Sequence, residues 1–486
     1  HQIAGVIDRD SASMRIYVDG VQVGSRTTSS DDVLVHNSDL LLGATFESSS
    51  SYSRFSGRID DARLWNTART TEQIADNRLN ELVGDESGLI SYWKLDETNV
   101  LIAANSVASG DDAFVTGHPE EIRVNSNGNN RFIGTQVDVD ISLRDTSDYL
   151  RIENGLTLNG RVVMGSWSRL ATQGTMTIDG TGEIVFSTSN PSRRQGIVPN
   201  ASYTTLTIGP DVTVRGGNGT IGRLSDYTSP SNVDIVIEGT VDASSGSRTI
   251  HLNPAGGTLT NNGTMRASGG TLDVDGLQGN AGEIDLVSGA VSLDGDYVID
   301  QAIAPDAGTL TLLGNWTAEA DVSVVGATLS INGTWNNQAA IDVAGGTLFI
   351  NGTPEAIGEF SASDSTIYID GTLTTDQLRQ FTFDNVSIIV RGLLDNTGEE
   401  LAIGETEVIR SITLDGGTIR GGTITSEATG AWADGQIGGA AGTDNSRYLE
   451  IPHSEAVDHK RELTFETWLR VGACDSTWQP IVQKGN

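Results

Sequence analysis

The heptapeptide Gly346-Thr347-Leu348-Phe349-Ile350-Asn351-Gly352 is one copy of a unit that recurs along the middle of the chain. Each copy opens on a small residue, alternates two apolar residues with variable ones, and ends in Gly. Successive copies start 19 residues apart, five times in succession. The copies are residues 270–276, 289–295, 308–314, 327–333, 346–352 and 365–371. A fixed period of about 20 residues predicts stacked supersecondary units that share one core.

The alternation inside a unit predicts a short strand with one buried face. Leu348 and Ile350 fall on one side of such a strand, whereas Phe349 and Asn351 fall on the other. Asn351-Gly352 suits a corner, because Gly tolerates positive φ. The predicted core is two columns of apolar residues: Leu272, Val274, Val291, Leu293, Leu310, Leu312, Leu329, Ile331, Leu348, Ile350, Ile367 and Ile369. The positions predicted to point outward are Asp273, Ser292, Thr311, Ser330, Phe349 and Tyr368.

We therefore interpret residues 130–437 as a parallel β-solenoid with about 19 residues per coil. About 300 residues at that period give roughly 15–16 coils and a stack of roughly 70–75 Å. The strict period resembles that of the right-handed β-helices of filamentous haemagglutinins and autotransporter passengers, and the resemblance implies a right-handed coil.

The first zone, residues 1–97, is predicted to hold antiparallel strands and one helix. Asp19-Gly20 between two alternating apolar runs predicts a hairpin. Thr70 or Thr71 as a cap and an early Glu72 predict a helix over residues 70–82. Together, residues 3–8, 17–20, 57–66 and 90–97 resemble the second half of a laminin-G-like, concanavalin A-type jelly roll. Residues 98–129 are predicted to form a connecting segment.

The last zone, residues 438–486, resembles the first half of the same jelly roll at residues 442–452, 463–470 and 478–485. The predicted fold is thus all-β: a solenoid flanked by two partial jelly rolls. The chain opens at His1 inside an apparent strand, so we expect a processed product or part of a longer protein. We expect each half jelly roll to be completed by continuing polypeptide or by another copy, head to tail, as in a fibre.

Charge and composition restrict the classes of partner. The chain has 64 acidic and 30 basic residues, a net charge of −34. Such a field repels phosphate backbones and anionic lipid, which argues against nucleic-acid partners. No apolar run reaches the ~18–20 residues of a membrane span, so no membrane insertion is predicted. The single cysteine, Cys474, allows no internal disulfide. These features favour an extracellular or cell-surface protein.

Acidic residues raise the question of metal binding. Residues 267–378 hold 16 Asp or Glu and no Lys or Arg, which suits either a cation-binding face or a solvated surface that keeps the protein soluble. In jelly rolls of the resembled class, a structural Ca²⁺ sits between a late strand and an early loop. That resemblance implies Asp60, Asp444 and Asn445 as Ca²⁺ ligands. The alternative is that these are ordinary turn and strand-end side chains.

The sequence favours a structural and adhesive protein that is not an enzyme. The predicted partners are glycans, cell-surface or matrix proteins, and further copies of the chain. The alternative is a polysaccharide-degrading β-helix enzyme with laminin-G-like carbohydrate-binding modules. A cleft with several close carboxylates and an Arg favours the enzyme, and a smooth face of Thr, Ser and Asn favours the structural role. Trp316 and Trp335, one repeat apart, are predicted to stack, either as packing or as a sugar-binding surface.

Overall fold

The structure is a computed structural model of the 486-residue chain. It describes residues 1–27, 40, 42–48, 51–55, 57–96, 102–103, 105–107, 113–114, 121–187, 194–224, 230–404, 409–426, 432–435 and 438–441. The described chain is nearly all β-structure. It divides into a first compact unit, residues 1–399 with 412–421, and a second, residues 400–411 with 422–486.

The described residues of the N-terminal part form short antiparallel strands and one helix. Its elements are β1 (Ile3–Asp8), β2 (Ser13–Val18), β3 (Val21–Thr27), β4 (Ala44–Ser48), β5 (Ser51–Arg54), β6 (Ala62–Trp65), α1 (Thr71–Asp76), β7 (Leu89–Trp93), β8 (Ile102–Ala103) and β9 (Ala113–Phe114). Strands β1, β2 and β3 form one sheet, and β4–β5, β6–β7 and β8–β9 are antiparallel pairs. Asp19 and Gly20 both have positive φ, 52° and 80°, which confirms the predicted hairpin between β2 and β3.

Helix α1 begins where predicted. The Thr70 hydroxyl accepts a hydrogen bond from the Gln73 backbone N–H at 3.2 Å, and the Gln73 side chain accepts one from the Thr70 N–H at 3.0 Å. This reciprocal capping box satisfies two of the free N–H groups of the first turn. Ile74 is buried against Val6 and Tyr17 of the β1–β2–β3 sheet.

The predicted end of this helix at residue 82 is wrong, because α1 ends at Asp76. The Arg63 guanidinium donates to the backbone carbonyls of Asn77, at 2.8 Å, and Asn80, at 2.6 Å. These carbonyls would otherwise be available to a continuing helix. Leu79, which lies in the predicted helix range but after the observed end of α1, is 83% exposed.

The larger part of the first unit is a stack of parallel coils. Its earlier strands are β10 (Ile122–Arg123), β11 (Arg131–Val137), β12 (Ile141–Leu143), β13 (Tyr149–Leu158), β14 (Arg161–Met164), β15 (Arg169–Gln173), β16 (Met176–Asp179), β17 (Glu183–Phe186), β18 (Gln195–Pro199), β19 (Thr205–Ile208), β20 (Thr213–Gly216), β21 (Gly219–Gly222), β22 (Asp234–Ile237), β23 (Thr240–Ala243), β24 (Thr249–Asn253), β25 (Leu259–Asn261), β26 (Thr264–Asn280) and β27 (Glu283–Ile299).

The later coils are made of strands of more even length. The elements that follow β27 are β28 (Thr309–Leu312), β29 (Asn315–Ala318), β30 (Val322–Val325), β31 (Thr328–Ile331), β32 (Thr334–Asn337), β33 (Ala340–Ala344), β34 (Thr347–Ile350), β35 (Thr353–Ala356), β36 (Glu359–Ser363), β37 (Thr366–Ile369), β38 (Thr372–Thr374), α2 (Thr375–Leu378), β39 (Phe381–Asp384), β40 (Ser387–Val390), β41 (Leu393–Asp395), β42 (Glu400–Ile403), β43 (Ile412–Leu414), β44 (Thr418–Arg420) and β45 (Thr423–Ser426). Of these, β42 and β45 belong to the second unit. In a regular coil, three strands such as β31, β32 and β33 each pair with the matching strand of the next coil.

One parallel ladder runs through the whole stack. It joins β11, β13, β15, β18, β21, β24, β26, β27, β28, β31, β34, β37, β40 and β43. The structure therefore confirms a parallel β-solenoid, with about 14 turns. The predicted 15–16 coils is an overestimate because it assumed a 19-residue coil throughout, and the early coils are longer. The right-handed sense stays a prediction.

The register divides the solenoid into two blocks. Asp273 pairs with Ser292, and that position continues in 19-residue steps to Tyr368, as the sequence predicts. We call residues 267–378 the uniform coils. Upstream, the steps are longer and unequal, since Arg169 pairs with Gly196 and Thr220 pairs with His251. We call residues 121–266 the irregular coils.

The core of the uniform coils matches the sequence pattern. All twelve predicted core residues are fully buried, and the six predicted outward positions are half-buried, so the predicted register is confirmed. The rings of Trp316 and Trp335 stack at 5.8 Å between centroids, with an interplanar angle of 11°. Both are almost fully buried, so this pair is interior packing and not a sugar-binding surface.

The second unit is described only in part. Strand β42 pairs in parallel with β45, and β46 (Trp432–Gly435) pairs antiparallel with β47 (Gly438–Ala441). A half jelly roll is predicted for residues 438–486, and its residues 442–486 lie outside the described residues. The domain boundaries proposed from the sequence stay predictions.

Candidate functional site

The predicted calcium ligands are described only at Asp60, which is exposed and precedes β6. Its neighbour Asp61 is already engaged, since it accepts a hydrogen bond from the Tyr92 hydroxyl and lies 3.3 Å from an Arg63 nitrogen. Burial and this bond to Asp61 raise the pKa of Tyr92. Asp444 and Asn445 lie outside the described residues.

The described residues alone do not fit a calcium site. Ca²⁺ takes six to eight oxygen ligands. Within the described ranges, no group of three or more His, Cys, Asp or Glu side chains is placed to hold a metal ion. The assignment of Asp60, Asp444 and Asn445 as calcium ligands stays a prediction.

The outward positions of the long ladder form a continuous line of side chains. We call this line the outer column; it consists of His251, Asp273, Ser292, Thr311, Ser330, Phe349 and Tyr368. One end carries His251 and Asp273, the middle carries only hydroxyls, and the other end carries two aromatic rings. A parallel solenoid produces such a line because equivalent residues of successive coils lie directly above one another.

The aromatic end of the outer column is a stacked pair of rings. The centroids of Phe349 and Tyr368 lie 4.8 Å apart, with an interplanar angle of 12°. The Arg391 guanidinium carbon lies 4.3 Å from the Tyr368 centroid and 5.5 Å from that of Phe349. Arg391 also makes two bonds to Asp370, at 2.7 and 2.6 Å. This bidentate pair raises the pKa of Arg391 and fixes its guanidinium group beside the rings.

The opposite end of the outer column is acidic. His251 Nδ1 lies 2.9 Å from a carboxylate oxygen of Asp273. The pKa of Asp275 is raised by desolvation and then by the charges of Asp273 and Asp294, with His251 opposing the shift. A small cavity of about 100 Å³ beside this end is lined by Arg194, Asn218, Thr249 and His251. This end therefore combines an imidazole with carboxyl groups, one of which has a raised pKa.

A larger groove, of about 470 Å³, lies in the irregular coils and is lined by Asp138, Val139, Asp140, Asn159, Gly160, Arg161, Thr181, Gly182, Glu183 and Thr213. It combines carboxylates with an arginine, as the enzyme alternative requires. These carboxylates already have partners, since Glu183 pairs with both Arg161 and Arg215. Hydrogen bonds from Asn159 and Gln136 lower the pKa of Asp138. A general acid needs the opposite shift, so Asp138 does not suit that role.

The sequence pattern placed Phe349 and Tyr368 on the outer face but did not identify them as a candidate site. The sequence spacing could have identified them, because these two aromatic residues are one repeat apart, as are Trp316 and Trp335. Their position inside the heptapeptide unit separates the two pairs. Phe349 and Tyr368 occupy its variable, outward position, whereas Trp316 and Trp335 follow the unit and point inward.

Comparison with known families identifies the N-terminal part only. Residues 1–75 match the family described as the concanavalin A-like lectin/glucanases superfamily. Comparisons with curated proteins and with solved structures found no match. No helix in the described ranges is long and apolar enough to cross a membrane. The chain thus joins a laminin-G-like, concanavalin A-like β-sandwich at its N-terminus to a parallel β-solenoid.

Proposed function

We propose that this chain is a structural and adhesive segment of an extracellular surface protein. The solenoid acts as a spacer, and glycans bind to the outer column and to the laminin-G-like domain. The combination of a lectin-type fold with a solenoid supports this role. The hydroxyl-lined middle of the outer column is the smooth face that favours a structural role over an enzymatic one.

The observation that carries the proposal is the Phe349–Tyr368 pair. Aromatic rings on a water-facing surface offer apolar area to the C–H faces of a sugar. The Asp370–Arg391 pair beside them offers charged donors and acceptors to sugar hydroxyls. An apolar platform with a few fixed polar groups is the usual composition of a ligand site.

The test is glycan binding by the full chain and by the double variant Phe349→Ser/Tyr368→Ser. We expect the wild-type chain to bind a subset of the extracellular polysaccharides on an array. The binding signal of the double variant should be at least tenfold lower. Tyr203→Ser is the matched control, because Tyr203 is 79% exposed and lies outside the outer column. Equal binding by the double variant and the wild type would refute the role of the aromatic pair.

Polysaccharide cleavage is the second candidate, and one observation favours it. The raised pKa of Asp275, beside the His251–Asp273 pair, is the property that a general acid needs. The test is release of reducing ends from the polysaccharides that bind. Loss of release in Asp275→Asn, but not in Asp296→Asn of the same block, would support cleavage. Absence of release by the wild-type chain would remove this candidate.

A further inference from the structure

The outer column has a second column beside it on the same side of the long ladder. Thr249, two residues before His251, pairs with Thr271, and this register continues from coil to coil as far as Thr366. Residues two apart on a strand point to the same side. We call this second line the threonine column; it consists of Thr249, Thr271, Thr309, Thr328, Thr347 and Thr366, with Ala290 between the second and the third. The two columns together form a strip that is two side chains wide, which we call the polar strip.

The polar strip ends in the cavity that is lined by Arg194, Asn218, Thr249 and His251. Arg194 directly precedes β18 and Asn218 directly precedes β21, so both continue the threonine column upstream in register. In the outer column, the upstream partner of His251 is Thr220, which is only 2% exposed. The accessible run of the outer column therefore ends at His251, and the cavity of about 100 Å³ lies at that end.

The side chains of the cavity suit an anionic sugar. The Arg194 guanidinium supplies a permanent positive charge and a planar fork that matches a carboxylate. Among the described residues, no carboxylate lies within ion-pair distance of it. Asn218 supplies an amide and Thr249 a hydroxyl. Asp273 holds Nδ1 of His251 at 2.9 Å, which leaves Nε2 of that ring to contact a sugar hydroxyl.

The rest of the polar strip disfavours anions. Residues 267–378 carry 16 acidic side chains and no Lys or Arg, so a carboxylate is repelled along the uniform coils. Arg194 lies three coil steps from the level of Asp273, which is roughly 14 Å. This separation exceeds the screening length of ~8 Å at physiological ionic strength. An anionic group is therefore stabilised at the cavity and disfavoured elsewhere on the strip.

We propose that the polar strip binds a polysaccharide that is neutral over most of its length and carries sparse uronate residues, and that the cavity takes a uronate carboxylate. Arg194 binds the two carboxylate oxygens. The rings of Phe349 and Tyr368 bind a neutral sugar five coil steps from His251, which is roughly 24 Å away. This inference rests on the proposed glycan binding and adds to it the class of glycan.

The test is isothermal titration calorimetry of the full chain with three sparsely carboxylated polysaccharides, glucuronoxylan, gellan and gum arabic, and with the carboxyl-reduced form of each. At least one of them should bind roughly tenfold more tightly than its reduced form. Arg194→Gln should abolish this preference and leave binding of the reduced form unchanged. Arg131→Gln is the matched control, because it removes the same charge from an exposed residue of the irregular coils outside the polar strip.

The outcomes separate this inference from glycan binding in general. Equal binding of the carboxylated and reduced forms, or a preference that survives in Arg194→Gln, would overturn the uronate assignment while glycan binding stands. Failure of all three polysaccharides to bind would overturn it too, and the array of the preceding test then shows whether glycan binding as a whole fails.

Two further probes test the identity and the spacing of the anionic group. Polygalacturonate, which has a carboxylate on every sugar, should bind more weakly than the best of the three, because the uniform coils repel it. The opposite order would contradict the sparse spacing. Lightly sulfated dextran should bind without dependence on Arg194. An equal dependence would overturn the carboxylate assignment in favour of a sulfate ester.

Discussion

The carboxylates of the irregular coils and those of the uniform coils have different kinds of bonding partner. Residues 121–266 contain 12 Arg and 13 acidic residues, whereas residues 267–378 contain 16 acidic residues and no basic one. Both blocks have the same buried apolar ladder. The difference shows that the carboxylates of the two blocks are stabilised by different kinds of partner.

In the irregular coils, arginine side chains hold some of the carboxylates, and Glu183 is the clearest case. Glu183, whose side chain is 19% exposed, lies between Arg161, at 2.9 Å, and Arg215 of the following coil. Arg161 is the in-register partner of Glu183, whereas Arg215 lies two residues along its strand and reaches the carboxylate through its long side chain.

In the uniform coils, polar groups of the next coil hold carboxylates such as Asp296 and Asp321, whereas Asp370 near the end of the block pairs with Arg391. The Asn315 side-chain amide donates to Asp296 at 3.1 Å, and the Ala340 N–H donates to Asp321 at 3.0 Å. Each donor lies one repeat after its acceptor, so the constant step supplies the partner without a cation. The surface stays negative, which opposes association of the solenoid through its side and maintains solubility.

The largest expected effect is on the free energy of unfolding, and it distinguishes inward from outward side chains of the uniform coils. Trp335→Ala removes a fully buried ring that stacks on Trp316, so we expect a loss of about 3–5 kcal/mol of unfolding free energy. Phe349→Ala removes a half-buried ring of the outer column and should cost about 1 kcal/mol. Guanidinium denaturation of both variants measures the difference. Equal losses would contradict the assignment of Phe349 to a site rather than to the core.

The next effect concerns Asp148, a buried carboxyl of the irregular coils. Burial raises its pKa from 3.8 to about 6, although the Asp145 N–H donates to it at 2.8 Å. The folded state therefore holds more protons than the unfolded state between about pH 4 and 6, and stability falls as the pH rises through that window. Asp148→Asn should abolish this fall and gain about 2 kcal/mol at pH 7.

Melting curves from pH 4 to 8 provide the measurement for Asp148. Asp138→Asn is the control, because the pKa of Asp138 is lowered from its ordinary value of 3.8 and this carboxyl stays ionised from pH 4 to 8, so the variant should leave the fall unchanged. A variant that loses stability at pH 7 relative to wild type would show that the Asp148 carboxylate has an unrecognised favourable partner.

The smallest effect compares the two ways of holding charge. Glu183→Gln leaves Arg161 and Arg215 without their shared carboxylate, so we expect a loss of about 1–2 kcal/mol. Asp296→Asn keeps an acceptor for Asn315 and removes one negative charge from a block without cations, so its effect should be near zero or favourable. Raising the salt concentration should shrink the Glu183 effect. Equal costs for the two variants would erase the distinction between the blocks.

The sequence predicted the solenoid well where its period was strict. Alternation around Phe349 indicated the register and the core, because only apolar residues suit the inward positions of a repeated strand. The coil number was overestimated because insertions such as the long step from Thr220 to His251 carry no period. The end of α1 was not predicted because Arg63, whose guanidinium binds the carbonyls that follow the helix, lies outside the helix sequence. The outer column required a three-dimensional register before its members could be seen as one surface.

Disulfide formation between adjacent coils tests the central claim, that equivalent residues of successive repeats in the uniform coils lie directly above one another. Thr311 and Ser330 are in-register partners on β28 and β31, at a Cα separation of ~4.8 Å. In a Cys474→Ser background, the variant Thr311→Cys/Ser330→Cys should therefore oxidise to an intramolecular disulfide, seen as a linked peptide by mass spectrometry. Thr311→Cys/Phe349→Cys spans two coils, about 9.6 Å, and should stay reduced. Efficient cross-linking of the second pair, or none of the first, would contradict the 19-residue coil.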